Sequence, residues 1–250
     1  SKHMERQTNM ITLCVPSRGR PELAKRMYDS AYLNCSHPKN VEIRFYLNED
    51  DPLLDTYLKM LPHANLWIGP NQSTSFSWNR LAYRAKHDIV CLMGDDVQIN
   101  TKNWDKMIFD EFELSKDKIL CVVPWTGRPR GYTEEQLEIK GRYVCGKKET
   151  LPAPHFAVHK KWIEVLGYMC PPQFWHFYVD TYTQKVSRKL GRCIYRADIE
   201  WRVKKIEDDT AKQVRKNLNI RNRDDWVWET CKRSLHNDVY TLQTYIDKKR

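Results

Sequence analysis

The chain has 250 residues and a mass of 29.9 kDa, enough to bury a sizeable core as one α/β domain with an appended segment. Its 41% hydrophobic and 30% charged residues exclude a membrane-embedded or a disordered chain, and its longest apolar runs are strand-sized, which argues against a transmembrane helix or a secretory leader; a soluble, cytoplasmic protein is expected. Forty-two Lys and Arg against thirty-two Asp and Glu give a net charge of +10 that rises towards the C-terminus, which points to polyanionic partners: nucleic acid, nucleotide phosphates or an anionic membrane face.

Residues 1–9 read as a tail, with Ser1 to Met4 as a cloning remnant. Met10 to Pro16 reads as a first strand that runs into the loop Ser17-Arg18-Gly19-Arg20-Pro21, which opens a helix from Glu22 to about Leu33. Arg18 and Arg20 flank a glycine next to that helix start, where guanidinium groups and backbone donors suit a nucleotide phosphate; the alternative is a solvated surface turn. Val41 to Leu47 alternates as a second strand and ends in the acidic run Asn48-Glu49-Asp50-Asp51, and Leu66 to Ile68 is a short third strand. After the turn Gly69-Pro70-Asn71, a helix is expected over Ser75 to Lys86.

The run Ile89-Val90-Cys91-Leu92-Met93 then reads as a buried strand, stopped by Gly94 and followed by Asp95 and Asp96. Two carboxylates at the carboxyl edge of a buried strand are costly unless a cation meets them. In an open α/β sheet that edge is where ligands bind, and Mg²⁺ or Mn²⁺ takes one or two carboxylates plus substrate phosphates. A turn or a helix cap is the alternative for an Asp-Asp pair.

Further along, Ile119 to Pro124 supplies a strand, 126–149 a Gly-, Arg- and Lys-rich loop, and Pro154 to Val158 another strand. Helices follow at Lys160 to Leu166 and Val179 to Leu190, then a strand at Cys193 to Ala197 and a polar, helical tail. Alternating strands and helices predict a mixed, mostly parallel sheet flanked by helices. The eight cysteines form no CxxC pair, which leaves no zinc signature and fits reduced thiols in a reducing compartment. His155 and His176 are weak candidates for acceptor contacts or metal ligands, and Trp175 and Phe174, after Pro171-Pro172, are expected at an acceptor mouth.

Taken together, these pieces resemble the nucleotide-sugar glycosyltransferases of the GT-A fold, closest to family 2 and of phage or bacterial type, over roughly residues 10–200. ITLCVPSRGRP resembles the family's opening strand and loop, which places Pro16, Ser17, Arg18 and Arg20 against the nucleotide. NEDD at 48–51 falls where the family offers an acid to base or ribose, here Glu49 and Asp50. Asn79 matches the Asn of the helix before the metal strand, and MGDDV at 93–97 occupies the DxD position. Met93 stands where that motif has its first Asp, so the resemblance leaves the ribose to Asp95 and the metal to Asp96. Asp180 matches the general base of inverting members, with Val179 in place of the preceding Glu; a helix first-turn acid is the alternative.

The resemblance implies a nucleotide-binding half at 10–125, an acceptor half at 126–200 and a basic helical extension at 201–250. Trp201 stands where the family often has a metal-binding His, and the QxxRW of processive synthases is missing, which favours single-sugar transfer. The implied protein is a Mn²⁺- or Mg²⁺-dependent transferase, with a UDP-sugar as the expected donor. The basic charge favours a polyanionic acceptor, a hydroxymethylated base in phage DNA first, in the host cytoplasm if the protein is viral. A glycan or lipid-linked acceptor is the alternative, as is a nucleic-acid-binding protein that keeps the fold without catalysis.

Overall fold

The computed structural model of the chain describes residues 11–126, 141–145, 154–204, 212 and 216–250. The tail at 1–9, Met10 of the first expected strand and, within the basic loop expected at 126–149, residues 127–140 and 146–149 lie outside the described residues, while Arg142–Val144 of that loop form a short strand.

The first half is a parallel α/β unit. Strands β1 (Ile11–Ser17), β2 (Val41–Asn48), β3 (Asn65–Gly69) and β4 (Ile89–Leu92) pair in the spatial order β3-β2-β1-β4, all parallel. β1 and β4 are near-continuous apolar runs because both faces of this part of the sheet are covered. Alternation divides them: Ile89, Cys91 and Met93 face one core with Ile11, Leu13 and Val15, while Val90 and Leu92 face the other with Cys14. Helix α1 (Pro21–Asn34) starts with Pro at its first position and buries Ala24, Met27 and Ala31, one helical stripe, against the sheet. Helices α2 (Leu54–Met60) and α3 (Thr74–Tyr83) are the crossovers into β3 and β4.

The second half is mixed. β5 (Val97–Ile99) and α4 (Trp104–Glu113) precede β6 (Cys121–Trp125), β7 (Arg142–Val144) and β8 (Phe156–His159), which continues into α5 (Lys160–Leu166). α6 (Val179–Lys189) and the long β9 (Cys193–Val203) follow. β8 lies antiparallel between β4 and β6, β9 runs parallel to β6, and β5 and β7 pair antiparallel with β9, so the sheet order is β3-β2-β1-β4-β8-β6-β9-β5. The strand expected at 193–197 thus extends to Val203, passing the bulge opposite Pro124 and Trp125.

The tail forms α7 (Leu218–Thr230) and α8 (Lys232–Asp247). Leu235, Leu242 and Ile246 of α8 belong to the same core as Val158, Trp162 and Tyr182, and Tyr182 donates to Asp238 at 2.7 Å, as does Tyr168. These helices pack into the domain. No helix among the described residues is long and apolar enough to cross a membrane.

Candidate active site

The carboxyl ends of β1 and β4 meet at a hydrogen-bonded chain that begins with Tyr57 of α2. The hydroxyl of Tyr57 accepts the Arg20 amide at 2.8 Å and lies 2.6 Å from Ser17 Oγ, which in turn donates to Asp95 Oδ2 at 2.6 Å. Arg20 closes the circuit through Nη1 to Asp95 Oδ1 at 3.3 Å. Both oxygens of the buried Asp95 are therefore engaged by the first loop. Burial pushes its carboxyl up to about 6, against the opposing pull of Arg20 and the Ser17 hydroxyl.

The same loop is fixed from β2. The Gly19 amide donates to Asp51 Oδ2 at 2.7 Å, and Arg18 grips Asp50 with both terminal nitrogens, which holds the Asp50 carboxyl below its ordinary range. Glu49 is exposed, with its amide on the Gly69 carbonyl at 2.8 Å. Pro16 lies beyond Cys14, the last residue of β1 paired with β4, where a missing amide hydrogen disrupts no ladder between them.

Asp96 occupies the other side of the turn. Its backbone carbonyl accepts Arg26 Nη2 at 3.1 Å and the Lys204 amide at 3.0 Å, which pins the turn to α1 and to the end of β9. Its carboxylate shares a small space with His155: a Cβ on Gly94 would sit 2.8 Å from Asp96 Oδ1 and 3.1 Å from His155 Cε1, with Nε2 at 3.8 Å. Only glycine leaves room for both. Burial holds the His155 imidazole down to about 4, so it is neutral at physiological pH, and its buried Nδ1 has no hydrogen-bond partner among the described residues.

A carboxylate and a neutral imidazole across one glycine are ligand types that a divalent cation accepts. No group of three or more His, Cys, Asp or Glu able to hold a metal occurs among the described residues. Asp96 and His155 supply one oxygen and one nitrogen donor, which fits a cation that draws its other ligands from outside these two side chains.

The residues expected on an acceptor side lie in the segment 174–178 and at the start of α6. His176 Nδ1 lies 2.7 Å from Thr74 Oγ1, and its imidazole is held below its ordinary range by burial, with Asp224 opposing and Arg20 adding to the effect. The Thr74 amide donates to the Trp175 carbonyl at 2.8 Å, which ties this segment to the start of α3. Trp175 remains 37% exposed. Asp180 stands in the first turn of α6, half-buried, its carboxyl raised by burial and weakly bonded by Thr181 Oγ1 at 3.4 Å.

Two expectations need correction. Phe174 is fully buried, its ring 5.9 Å from that of Tyr182 and 6.4 Å from that of Trp228, so it is a core residue and not part of an acceptor mouth. Asn79 directs its carboxamide to the polypeptide: Oδ1 accepts the amides of Met169 and Cys170 at 2.9 and 3.1 Å, and Nδ2 donates to the Cys170 carbonyl at 2.8 Å. Its contacts serve to clamp this segment, not to face a nucleotide. Trp201 packs edge-on against Trp104 in the core, and the residue bonded beside Asp96 is Lys204.

Tyr57 and Arg26 were not expected at the site, because their partners Ser17 and Asp96 lie 40 and 70 residues away in sequence; Asp51 belongs to the acidic run at 48–51, and Lys204 to the basic 202–205 segment, whose Lys and Arg were expected to assist at the leaving group.

No protein-family model matches this sequence, and no curated protein matches it either. Solved structures do. Staphylococcus aureus TarS 1-349 in complex with UDP-GlcNAc aligns with a TM-score of 0.61 at 12% identity, over 80% of this chain and 60% of that one. The mannosyltransferase PcManGT from Pyrobaculum calidifontis, in complex with GDP-Man and Mn²⁺, aligns with a TM-score of 0.61 at 15% identity, over 92% of this chain and 69% of that one. The chain spans 60% of the TarS 1-349 length. The order of strands, the Asp95-Asp96 turn at their carboxyl edge and these alignments agree on one conclusion: the chain has the GT-A glycosyltransferase fold.

Proposed function

We propose that the protein is a metal-dependent glycosyltransferase that moves one sugar from a nucleotide diphosphate sugar, with UDP as the first nucleotide to test, to a hydroxyl on a polyanionic acceptor. The observation that carries this reading is the junction of the first loop with the Asp95-Asp96 turn, through Ser17, Tyr57 and Arg20, at the carboxyl edge of the parallel strands. Ligands of open α/β sheets bind at that edge. Two aligned structures hold a UDP-sugar and a GDP-sugar, the latter with Mn²⁺.

Each residue then has a part. Arg20 and Arg18 present guanidinium groups at the N-terminus of α1, a region suited to phosphate. Asp95, fixed by Ser17 and Arg20, meets the ribose, and Glu49 and Asp50 at the end of β2 meet ribose or base. Asp96 and His155 would hold the cation, whose chemistry there would be Lewis-acid stabilisation of the diphosphate leaving group. Asp180 accepts the acceptor proton: a carboxylate raised by burial is a stronger base than one in water, and a positioned base contributes about 10²- to 10⁴-fold. His176 and Trp175 line the acceptor side. The net charge of +10 favours an acceptor rich in phosphate, and a hydroxymethylated base in phage DNA is the acceptor proposed.

The test is transfer of labelled sugar, from a UDP-sugar and GDP-sugar panel with Mn²⁺, to a hydroxymethylcytosine oligonucleotide and to its unmodified counterpart. Label on the modified strand alone, reduced at least about 100-fold by Asp180→Asn, is expected. Equal label with Asp180→Asn removes Asp180 from the mechanism, and no label from any donor contradicts the DNA acceptor.

A further inference from the structure

The segment Trp175 to Phe177 owes its shape to a residue outside the strands and helices of the sheet domain. Asp224 of α7 is completely buried and accepts three consecutive backbone amides: Trp175 at Oδ1, and His176 and Phe177 at Oδ2, each at 2.8 Å. A buried carboxylate is retained at low cost when its lone pairs are filled in this way. The Thr74 amide donates to the Trp175 carbonyl at 2.8 Å, so the segment is held from both sides.

With the backbone fixed, the two rings flanking His176 meet two arginines of the first turns of α7. Arg221 lies over the Phe177 ring at 4.6 Å and Arg223 over the Trp175 ring at 5.8 Å. Arg221 is also 3.4 Å from Asp225 and Arg223 3.3 Å from Asp224, and Tyr178 donates to Asp225 at 2.5 Å. Both guanidinium groups are thereby oriented, yet their side chains remain 49% and 47% exposed. An exposed indole with guanidinium groups at fixed positions matches the requirement of a single nucleic-acid strand: a face for a base to stack on and cations for its backbone.

We propose that Trp175, Phe177, Arg221 and Arg223 form a subsite for a single-stranded nucleic-acid backbone, with Asp224 as the residue that positions it. The subsite rests on the glycosyltransferase reading for its purpose, since His176 at its centre is a residue of the proposed acceptor side, but strand binding is measurable without any sugar transfer.

The experiment is fluorescence anisotropy of a labelled 12-nucleotide DNA strand between about 50 and 200 mM salt, in parallel with melting in the presence of UDP or GDP and Mn²⁺. Arg221→Gln with Arg223→Gln is expected to weaken strand binding and to lower the slope of log affinity against log salt by about 1.4, two single-strand phosphates at about 0.7 each. Lys248→Gln with Lys249→Gln, at the far end of α8, leaves the slope unchanged. Trp175→Ala is expected to weaken binding about tenfold or more at every salt concentration with the slope retained.

An unchanged slope in the arginine pair overturns the subsite, as does a wild type that binds phosphatidylglycerol vesicles but no strand, or neither. A nucleotide-induced melting shift without strand binding leaves the donor reading intact and removes the subsite. Strand binding with the expected slope but no melting shift keeps the subsite and removes the donor reading.

Discussion

At Gly94 the space a side chain would occupy is already divided between Asp96 and His155. Gly94→Ala forces one of them to move, at an expected cost of about 1–3 kcal/mol, and abolishes any nucleotide-dependent stabilisation while the fold persists. Thermal melting with and without Mn²⁺ and nucleotide measures both effects, and an unaltered nucleotide shift would show that the two side chains need not stay together.

His155 and Asp95 give the site opposite responses to pH. His155 has a folded value of about 4 against an ordinary 6.5, so its contribution to stability is complete above pH 6.5 and is lost as pH falls through 4. Asp95, at about 6 against 3.8, contributes fully below pH 3.8 and loses that contribution as pH rises through 6. His155→Gln removes only the first, worth about 3 kcal/mol. In chelator, its melting temperature relative to wild type is expected to climb as pH is lowered from 7 to 4.5; a constant difference would contradict a neutral buried imidazole.

At this scale the sequence revealed Asp95 and Asp96, because acids directly after a buried apolar run are anomalous wherever they occur. It concealed Tyr57, Arg26 and Asp224, whose partners Ser17, Asp96 and the 175–177 amides lie 40, 70 and about 48 residues away. Phe174 misled because it adjoins Pro171-Pro172 and Trp175, and nothing local distinguishes a ring turned inward from one turned outward.

Among the elements, the strands buried on both faces were legible as apolar runs: β1, β2 and β4 lie within a residue of their expected bounds. α2, β5 and α4 were not. β5 is three residues long, and α4 is preceded by Asn103, a left-handed capping residue whose side chain makes no capping bond. β9 was read short because Arg196, Asp198, Glu200 and Arg202 interrupt its apolar residues, although Ile199 and Trp201 continue the buried face.

Element packing also assigns Asn79 its weight. Asn79→Ala leaves the amides of Met169 and Cys170 without their acceptor next to fully buried side chains, an expected loss of about 1–3 kcal/mol with faster hydrogen exchange at 169–170. Unchanged exchange there would mean that the clamp on this segment lies elsewhere.

For the whole molecule, alternation of strands and helices predicted the α/β class, and the mixed second half follows from β8 entering antiparallel between β4 and β6. The tail was legible as helical but not as packed: α8 places Leu235, Leu242 and Ile246 in the core and sets Asp238 under two tyrosines. Neither Leu235 nor its companions signal in sequence which face of the domain they cover. The proposed donor edge lies at the first loop and the Asp95-Asp96 turn, where Ser17 and Arg20 meet Asp95.

The most direct test of that edge is the melting temperature of wild type and Asp96→Ala with UDP, GDP and other nucleoside diphosphates, each with and without Mn²⁺. One nucleotide that raises the wild-type value only when Mn²⁺ is present, with no rise in Asp96→Ala, is the predicted result. A shift independent of both Mn²⁺ and Asp96, or no shift with any nucleotide, would contradict a metal-assisted donor site at this turn.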